Sequence, residues 1–420
     1  MQGVQKPSVV FFNRVYPPAR GATGRMLRDL AHGFSRDGWD VTVITTGPEA
    51  RRERDGGVRV IRLGAKNGKK KSLFFYGVLW VRLFFAGLML PRHDLIVTMT
   101  DPPLFVMAGC MLARIKKSRH INWCQDLYPD LLPALGMRLP QGVMQWLKIH
   151  SRRAMKSCDK VIVIGRCMAK HLTHGGLDPR RIAVIPNWPD AELAALPQSM
   201  LQGRKVPVKN ANARPYSELF KEADPKFRVL YAGNMGRAHP VGTILDAAGI
   251  LSETYQDIEF VFVGEGPAFD RLAQERAKRG LENIRFLPWQ PARRLRELME
   301  SGDVHLISIN HDAAGLLVPC KLYSALAVAR PCVLIGPQES EAARVIGDFH
   351  AGNIVPQGQG EKLAQAIAAY RTDGEKWFNA HKGAGDAGRV FIPDESINAW
   401  IERARDVADV KVLHHKKRAA

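Results

Sequence analysis

The chain has 420 residues, 46% of them apolar, and carries a net charge of +20 from 61 basic and 41 acidic side chains. That length suits two domains rather than one core, and the ordinary apolar share marks a globular protein. The excess of positive charge calls for an anionic partner, a nucleotide or an anionic membrane surface; zinc-finger, RNA-recognition and basic-zipper signatures are missing, so no nucleic-acid partner is expected.

The N-terminus, MQGVQKPSVVFFN, lacks the long apolar core and cleavage site of a signal peptide. β-Branched and aromatic runs then alternate with helix-period stretches, the pattern of parallel α/β domains. Strands are expected over 9–13, 41–45, 58–63, 95–99, 120–124, 161–164 and 182–185. A stretch rich in Pro, Ala, Asn and Lys, 186–226, reads as a linker with an irregular excursion. Strands resume over 228–232, 259–263, 284–287, 304–309 and 332–335, with helices over 241–253, 269–279 and 292–301 and a last one over 395–410. Two α/β units follow: an amino-terminal domain, 1–190, and a second domain, 191–394, with the helix from about 395 expected to pack back on the first.

Ligands of open α/β sheets bind beyond the carboxyl ends of the strands. The first such loop, NRVYPPARGATGRM, offers Gly21 and Gly24 for close backbone approach, with a helix beginning near Gly24 and Arg25 and Arg28 in its first turns. It is not a G-x-G-x-x-G loop. VTMTDPPLF puts Thr100 and Asp101 at a strand end, and INWCQDLYPD puts Asp126 at another, with Asp130 four residues on. In the second domain, YAGNMGRAHP sets Gly233, Asn234 and Gly236 beside Arg237, a diphosphate cradle of backbone amides and one guanidinium. VGEGPAFDRL supplies Gly264 and Gly266. RFLPWQP supplies Leu287, Pro288 and Trp289, whose backbone suits a base. GLLVPCKLYSALAVARP supplies one cation, Lys321, at a helix start.

The six cysteines (Cys110, Cys124, Cys158, Cys167, Cys320 and Cys332) form no C-x-x-C pair, and no histidine cluster supplies zinc spacing. They read as reduced thiols of a cytosolic protein, and no metal site is expected. D-x-D, G-x-x-x-x-G-K-[ST], G-x-S-x-G and H-E-x-x-H are all absent, which argues against ATPase, serine-hydrolase and metal-templated phosphate chemistry.

With these loops in order, the sequence resembles the family 4 glycosyltransferases of the GT-B fold over nearly its whole length. YPPARGATGRM, TMTDPPLF, WCQDLYPD, VIPNW, YAGNMGR, VGEGPAFDRL, IRFLPWQP, DVHLISI, VPCKLYSALAVARPCVLIGP and NIVPQGQGEKLAQAI carry the likeness. It looks closest to the branch that builds bacterial capsule, O-antigen or colanic-acid-like polysaccharide. The resemblance implies two Rossmann-like parallel-sheet domains facing an interdomain cleft. It implies retaining transfer of a sugar from a nucleotide-diphosphate donor, UDP by default, with no cofactor and no required metal. It places Arg237 and Lys321 on the diphosphate, the Gly21–Gly24 loop near the donor, and the backbone near Leu287–Trp289 on the base. Asp126 is the candidate for orienting the acceptor.

One departure stands out. The family's two glutamates, eight residues apart, fall on Leu316 and Ser324 here. Glu339 and Glu341, after the next strand, are candidates to supply a carboxylate instead, or else cap a helix. A catalytically inactive nucleotide-sugar-binding or scaffold homologue and a sugar-nucleotide epimerase of the same architecture stand as alternatives.

Finally, KKKSLFFYGVLWVRLFFAGLML follows three lysines with nineteen mostly apolar residues, Ser72 to Leu90. Arg82 in its middle argues against a transmembrane span. A buried helix and a helix seated in the membrane interface both fit. The enzymes it resembles often act on polyprenyl-diphosphate-linked acceptors, so the resemblance implies peripheral attachment to the inner face of the cytoplasmic membrane.

Overall fold

The run Ser8–Phe12 forms strand β1, and its residues Val9 to Phe12 are all buried, as an interior parallel strand requires with both faces covered. The computed structural model of the chain describes residues 6–65, 73–193, 226–236 and 239–409. These fall into two compact units: the described parts of Met1–Asp130, Leu139–Pro186 and Asp394–Ala420, and those of Leu131–Arg138 and Asn187–Pro393.

In the first unit the order is β1, α1 (Ala22–Arg36), β2 (Asp40–Gly47), β3 (Arg51–Asp55), β4 (Val58–Gly64), α2 (Leu73–Met89), β5 (Leu95–Met99), α3 (Val106–Lys116), β6 (Arg119–Cys124), α4 (Gln141–Ser157), β7 (Lys160–Val163), α5 (Arg166–His174) and β8 (Ile182–Val184). The sheet runs β3-β4-β2-β1-β5-β6-β7-β8, parallel except for the β3/β4 hairpin pair. From β1 the chain winds outward to β2 on one side and to β5 on the other. The direction of winding therefore reverses between β1 and β5, where open sheets hold their ligands.

The second unit repeats the plan: β9 (Phe227–Ala232), α6 (Val241–Thr254), β10 (Ile258–Val263), α7 (Pro267–Arg279), β11 (Ile284–Leu287), α8 (Leu295–Ser301), β12 (Val304–Ser308), α9 (Lys321–Ala327), β13 (Cys332–Ile335), α10 (Glu341–Asp348), β14 (Gly352–Val355), α11 (Gly360–Thr372) and α12 (Gly374–Val390). Its sheet order is β11-β10-β9-β12-β13-β14, parallel throughout, with the reversal between β9 and β12. One core cluster, with Phe227, Tyr231, Phe260, Phe262 and Ile284, lies against α6 and α11. Another, with Leu230, Val261 and Val263, packs under α8. Alternate residues of each strand serve opposite faces.

The last helix, α13 (Pro393–Ala408), rests on the first unit. Trp400 is fully buried with its ring centre 4.9 Å from that of Trp123. A Cβ on Gly33 of α1 would collide with Ile397, so the helices meet where α1 has no side chain.

Several expectations need correction. Helix α1 starts at Ala22, so Gly24 lies inside it, and α8 starts at Leu295 behind a 3-10 turn at Ala292–Arg294. Strands β3 and β14 were not expected: β3 reads RRERD and is mostly exposed, and β14 is four residues long. Most of the expected linker, 194–225, and Val410 lie outside the described residues.

Candidate active site

In the second unit, Ala232, Val263 and Leu287 stand side by side in register at the carboxyl ends of β9, β10 and β11. Their following loops therefore start together, and those loops hold Gly233, Gly264 and Pro288. Gly233 (φ 127°), Gly264 (φ 147°) and Gly266 (φ 128°) all adopt backbone conformations that favour glycine. Each also permits one close approach. A Cβ on Gly264 would strike the Gly233 carbonyl, and one on Gly266 would lie 2.5 Å from the Met235 carbonyl. Backbone bonds from Met235 N–H to the Glu265 carbonyl (2.9 Å) and from Ala268 N–H to the Met235 carbonyl (3.1 Å) join the two loops.

Gly233 serves a different contact. A Cβ there would sit 2.7 Å from Lys321 Cε, so the lysine crosses the loop over bare backbone. Its ammonium donates to the Asn234 carbonyl (3.1 Å) and lies 4.9 Å from the centre of the Tyr231 ring. The Tyr231 hydroxyl donates to the same carbonyl (2.9 Å). Among the described residues no carboxylate pairs with Lys321. Dense surrounding protein lowers its pKa to about 8. His239 accompanies it, with Nδ1 2.6 Å from Ser308 Oγ at the end of β12. Burial first, then Lys321 and Arg271, depress its pKa to about 3. His239 is therefore neutral, and Lys321 is the charged group of this cluster.

The other predicted residues of this unit are placed as follows. Asn234 and Gly236 are exposed on the loop, and Gly236 has open space around it. Arg237 lies outside the described residues. Leu287 is half-buried against the α8 core cluster, while the Pro288 carbonyl accepts from Gln290 Nε2 at 2.8 Å and Trp289 is exposed. Leu316 is buried and Ser324 half-buried. Glu341 is a buried acid in the first turn of α10, whose N-cap is Ser340; Glu339 is exposed, 3.9 Å from His311. Tyr231, Ser308 and His239 were missed. Tyr231 reads as one more core residue of an apolar strand, and nothing in its spacing marks the ring as a seat for a cation.

In the first unit, Gly24 is buried, and its absent Cβ would meet the Val15 side chain at 2.8 Å and the Val15 carbonyl at 2.9 Å. Gly24 thus packs the loop onto the helix, and only the exposed Gly21 is open to a ligand. The buried Arg62 holds the same loop by donating to the Tyr16 and Pro17 carbonyls while pairing with Glu53 at 2.6 Å. Arg28 is engaged by Asp55 (2.8 Å), Asp101 by Arg14 (2.7 Å) and Asp130 by Lys148 (3.1 Å).

Asp126 differs from these acids. Among the described residues, none forms a hydrogen bond or ion pair with its carboxylate. It lines a small cavity with Thr100, Phe105, Asn122, Tyr128 and Ser151 beyond the end of β6. Burial, helped by the charge of Asp101, raises its pKa to about 7. A carboxyl group poised near neutrality can hold or release a proton as needed.

Residues 21–188 match the glycosyl transferase 4-like domain, and residues 226–373 match the glycosyl transferases group 1 domain. The chain belongs to the family 4 glycosyltransferases of the GT-B fold. This transferase is 27% identical over 359 residues to WcaI of Escherichia coli (strain K12), named for a glycosyl transferase of colanic acid biosynthesis; the match covers 80% of this chain and 84% of WcaI. Its fold matches sucrose-phosphate synthase from Thermosynechococcus elongatus with a TM-score of 0.73 at 14% identity, over 97% of this chain and 100% of the other. It also matches Anabaena HepE in complex with UDP-glucose, with a TM-score of 0.62 at 15% identity, over 95% and 99% of the two chains.

Proposed function

We propose that this glycosyltransferase moves a sugar, with retention, from a UDP-sugar to a lipid-linked acceptor in cell-envelope polysaccharide assembly. The observation that carries the reading is Lys321: a cation without a carboxylate partner among the described residues, laid across the glycine loop at the carboxyl edge of β9. A diphosphate is the complementary ligand. As the bond from the anomeric carbon to the diphosphate breaks, negative charge gathers on the leaving oxygens, and a fixed ammonium stabilises it. Arg237 adds a second cation and the Leu287–Trp289 backbone receives the base. The acceptor hydroxyl forms the new bond and passes its proton to the leaving phosphate, with Asp126 orienting that hydroxyl. HepE, a structural neighbour, binds UDP-glucose, which supports the donor class.

Helix α2 supports a membrane-bound acceptor. Phe74, Val78, Val81, Phe85 and Met89 are exposed along one side of it at helical spacing. Leu79 and Leu83 on the other side enter the core. Arg82 donates to the Gly64 carbonyl. Among the described residues no helix is long and apolar enough to cross a membrane. An apolar stripe on a strongly basic chain suits an anionic lipid surface at the inner face of the cytoplasmic membrane.

The test is a nucleotide-sugar thermal-shift panel on wild type and Lys321→Ala. One UDP-sugar should stabilise the wild type and not the variant. If no nucleotide sugar shifts the wild type, the donor reading fails.

A further inference from the structure

The tertiary structure gathers three residues that their sequence spacing keeps apart. Cys110 comes from α3, His120 is the second residue of β6, and Cys158 caps the carboxyl end of α4. Their exposures are 5%, 2% and 0%. Cys110 Sγ lies 3.5 Å and Cys158 Sγ 3.4 Å from His120 Nδ1, and the sulfurs are 4.0 Å apart. Among the described residues, this is the group of His, Cys, Asp and Glu side chains arranged closely enough to share a metal ion.

Those distances are the edges of a coordination tetrahedron. Zinc–sulfur bonds of about 2.3 Å and zinc–nitrogen bonds of about 2.0–2.1 Å put neighbouring sulfurs about 3.8 Å apart and sulfur and nitrogen about 3.5 Å apart. We propose that Cys110, His120 and Cys158 bind one zinc-like d10 metal ion as a structural site.

The surroundings set the histidine for this role. The Thr98 hydroxyl donates to Asn122 Oδ1 (3.1 Å), so its oxygen accepts from His120 Nε2–H (2.8 Å). That bond keeps the proton on Nε2 and turns the bare Nδ1 lone pair toward both sulfurs. An oriented second nitrogen of this kind is the usual companion of a metal-bound histidine. Gly109 admits the ring: a Cβ there would lie 2.5 Å from both His120 Nε2 and Thr98 Cγ2. Without a metal, the two thiols both donate to the Ala154 carbonyl, at 3.2 and 3.4 Å. Binding releases both thiol protons to solvent and leaves two thiolates around a dication, a neutral group that can remain buried. Ser157 Oγ, 3.1 Å from Cys110 Sγ, borders the site on the side of the fourth position. The site sits at the amino end of β6, and Asp126 follows its carboxyl end. Its role is therefore to tie α3, α4 and β6 together, not to act on substrate.

The experiment is cobalt titration of the reduced, metal-stripped full chain, refolded with the ion present because the site is buried. One equivalent should give an intense thiolate-to-cobalt band and tetrahedral visible bands, and zinc should displace it and raise the melting temperature. Cys158→Ala and Cys110→Ser should each abolish the band. Cys320→Ser, at the most accessible cysteine, should leave it unchanged. Thr98→Val should weaken binding about 10–100-fold while the fold persists. The proposal is overturned if the wild type gives no thiolate band, or if the band survives loss of Cys158. It is equally overturned if Cys110 and Cys158 are recovered from metal-supplemented preparations as a disulfide with no metal bound. The wild-type titration decides the matter even if a cysteine variant fails to fold.

Discussion

The Lys321 ammonium stands 4.9 Å above the Tyr231 ring, with the Asn234 carbonyl as its hydrogen-bond acceptor. A ring face and one carbonyl orient a cation without neutralising it, and the contact with the ring is worth about 0.5–2 kcal/mol. The charge is left for a ligand.

Lys321→Met should therefore raise stability at pH 7 while abolishing donor binding. The sign follows from the lowered pKa: below about 8 the half-buried ammonium is charged in both folded and unfolded chains, and folding bears its desolvation cost. Between about 8 and the ordinary lysine value, the folded chain holds fewer protons than the unfolded one, so wild-type stability rises with pH. Donor affinity should move the opposite way, falling above pH 8 as the ammonium is lost. Melting curves and donor titrations at pH 7 and 9 check both slopes; parallel slopes in wild type and variant would sink the assignment.

The glycines should separate by readout. Gly233→Ala forces a side chain against Lys321 at a positive φ, and should cost about 1–3 kcal/mol and at least tenfold in donor affinity. Gly264→Ala meets backbone, the Gly233 carbonyl, and should chiefly destabilise. Gly236→Ala has space and should leave the melting temperature within about a degree. Calorimetry with and without UDP distinguishes the three.

Asp126→Asn should stabilise the protein at pH 8 by about 1–3 kcal/mol, since it removes a carboxylate whose ionisation burial opposes. A raised carboxyl pKa gives stability that is complete at low pH and declines as pH rises toward 7. Turnover should fall about a hundredfold, as the acceptor hydroxyl loses the carboxylate that orients it. A destabilised Asp126→Asn variant at pH 8 would show that the carboxylate has a partner that offsets its burial.

Phe74→Glu with Phe85→Glu should abolish flotation with anionic liposomes at low salt. Transfer to a water-soluble acceptor should persist, because both side chains point away from the core. Flotation by the double variant equal to wild type would remove α2 from the membrane proposal.

Strand positions were legible because a parallel strand buries both faces and shows as a short apolar run; Leu95–Met99 and Cys332–Ile335 lie where expected. β3 was not, because an edge strand made entirely of charged residues looks like a loop until Arg62 of β4 reaches across to pair with Glu53. The loops of the candidate site were equally visible, since glycine is what a chain uses where backbones must touch. Their individual duties were hidden: Gly24 packs on Val15, Gly264 on the Gly233 carbonyl, and Gly233 makes way for a lysine 88 positions on.

The sequence alone determined the family, the two parallel sheets and the cation at position 321, because these depend on local runs and on motifs in order. Tertiary structure alone decided which polar groups lost water and met one another. It set Lys321 over Tyr231, left the Asp126 carboxylate without a partner among the described residues, and brought Cys110, His120 and Cys158 within 4.0 Å. Burial and electrostatics depend on distance in space, and residues far apart along the chain carry no record of it.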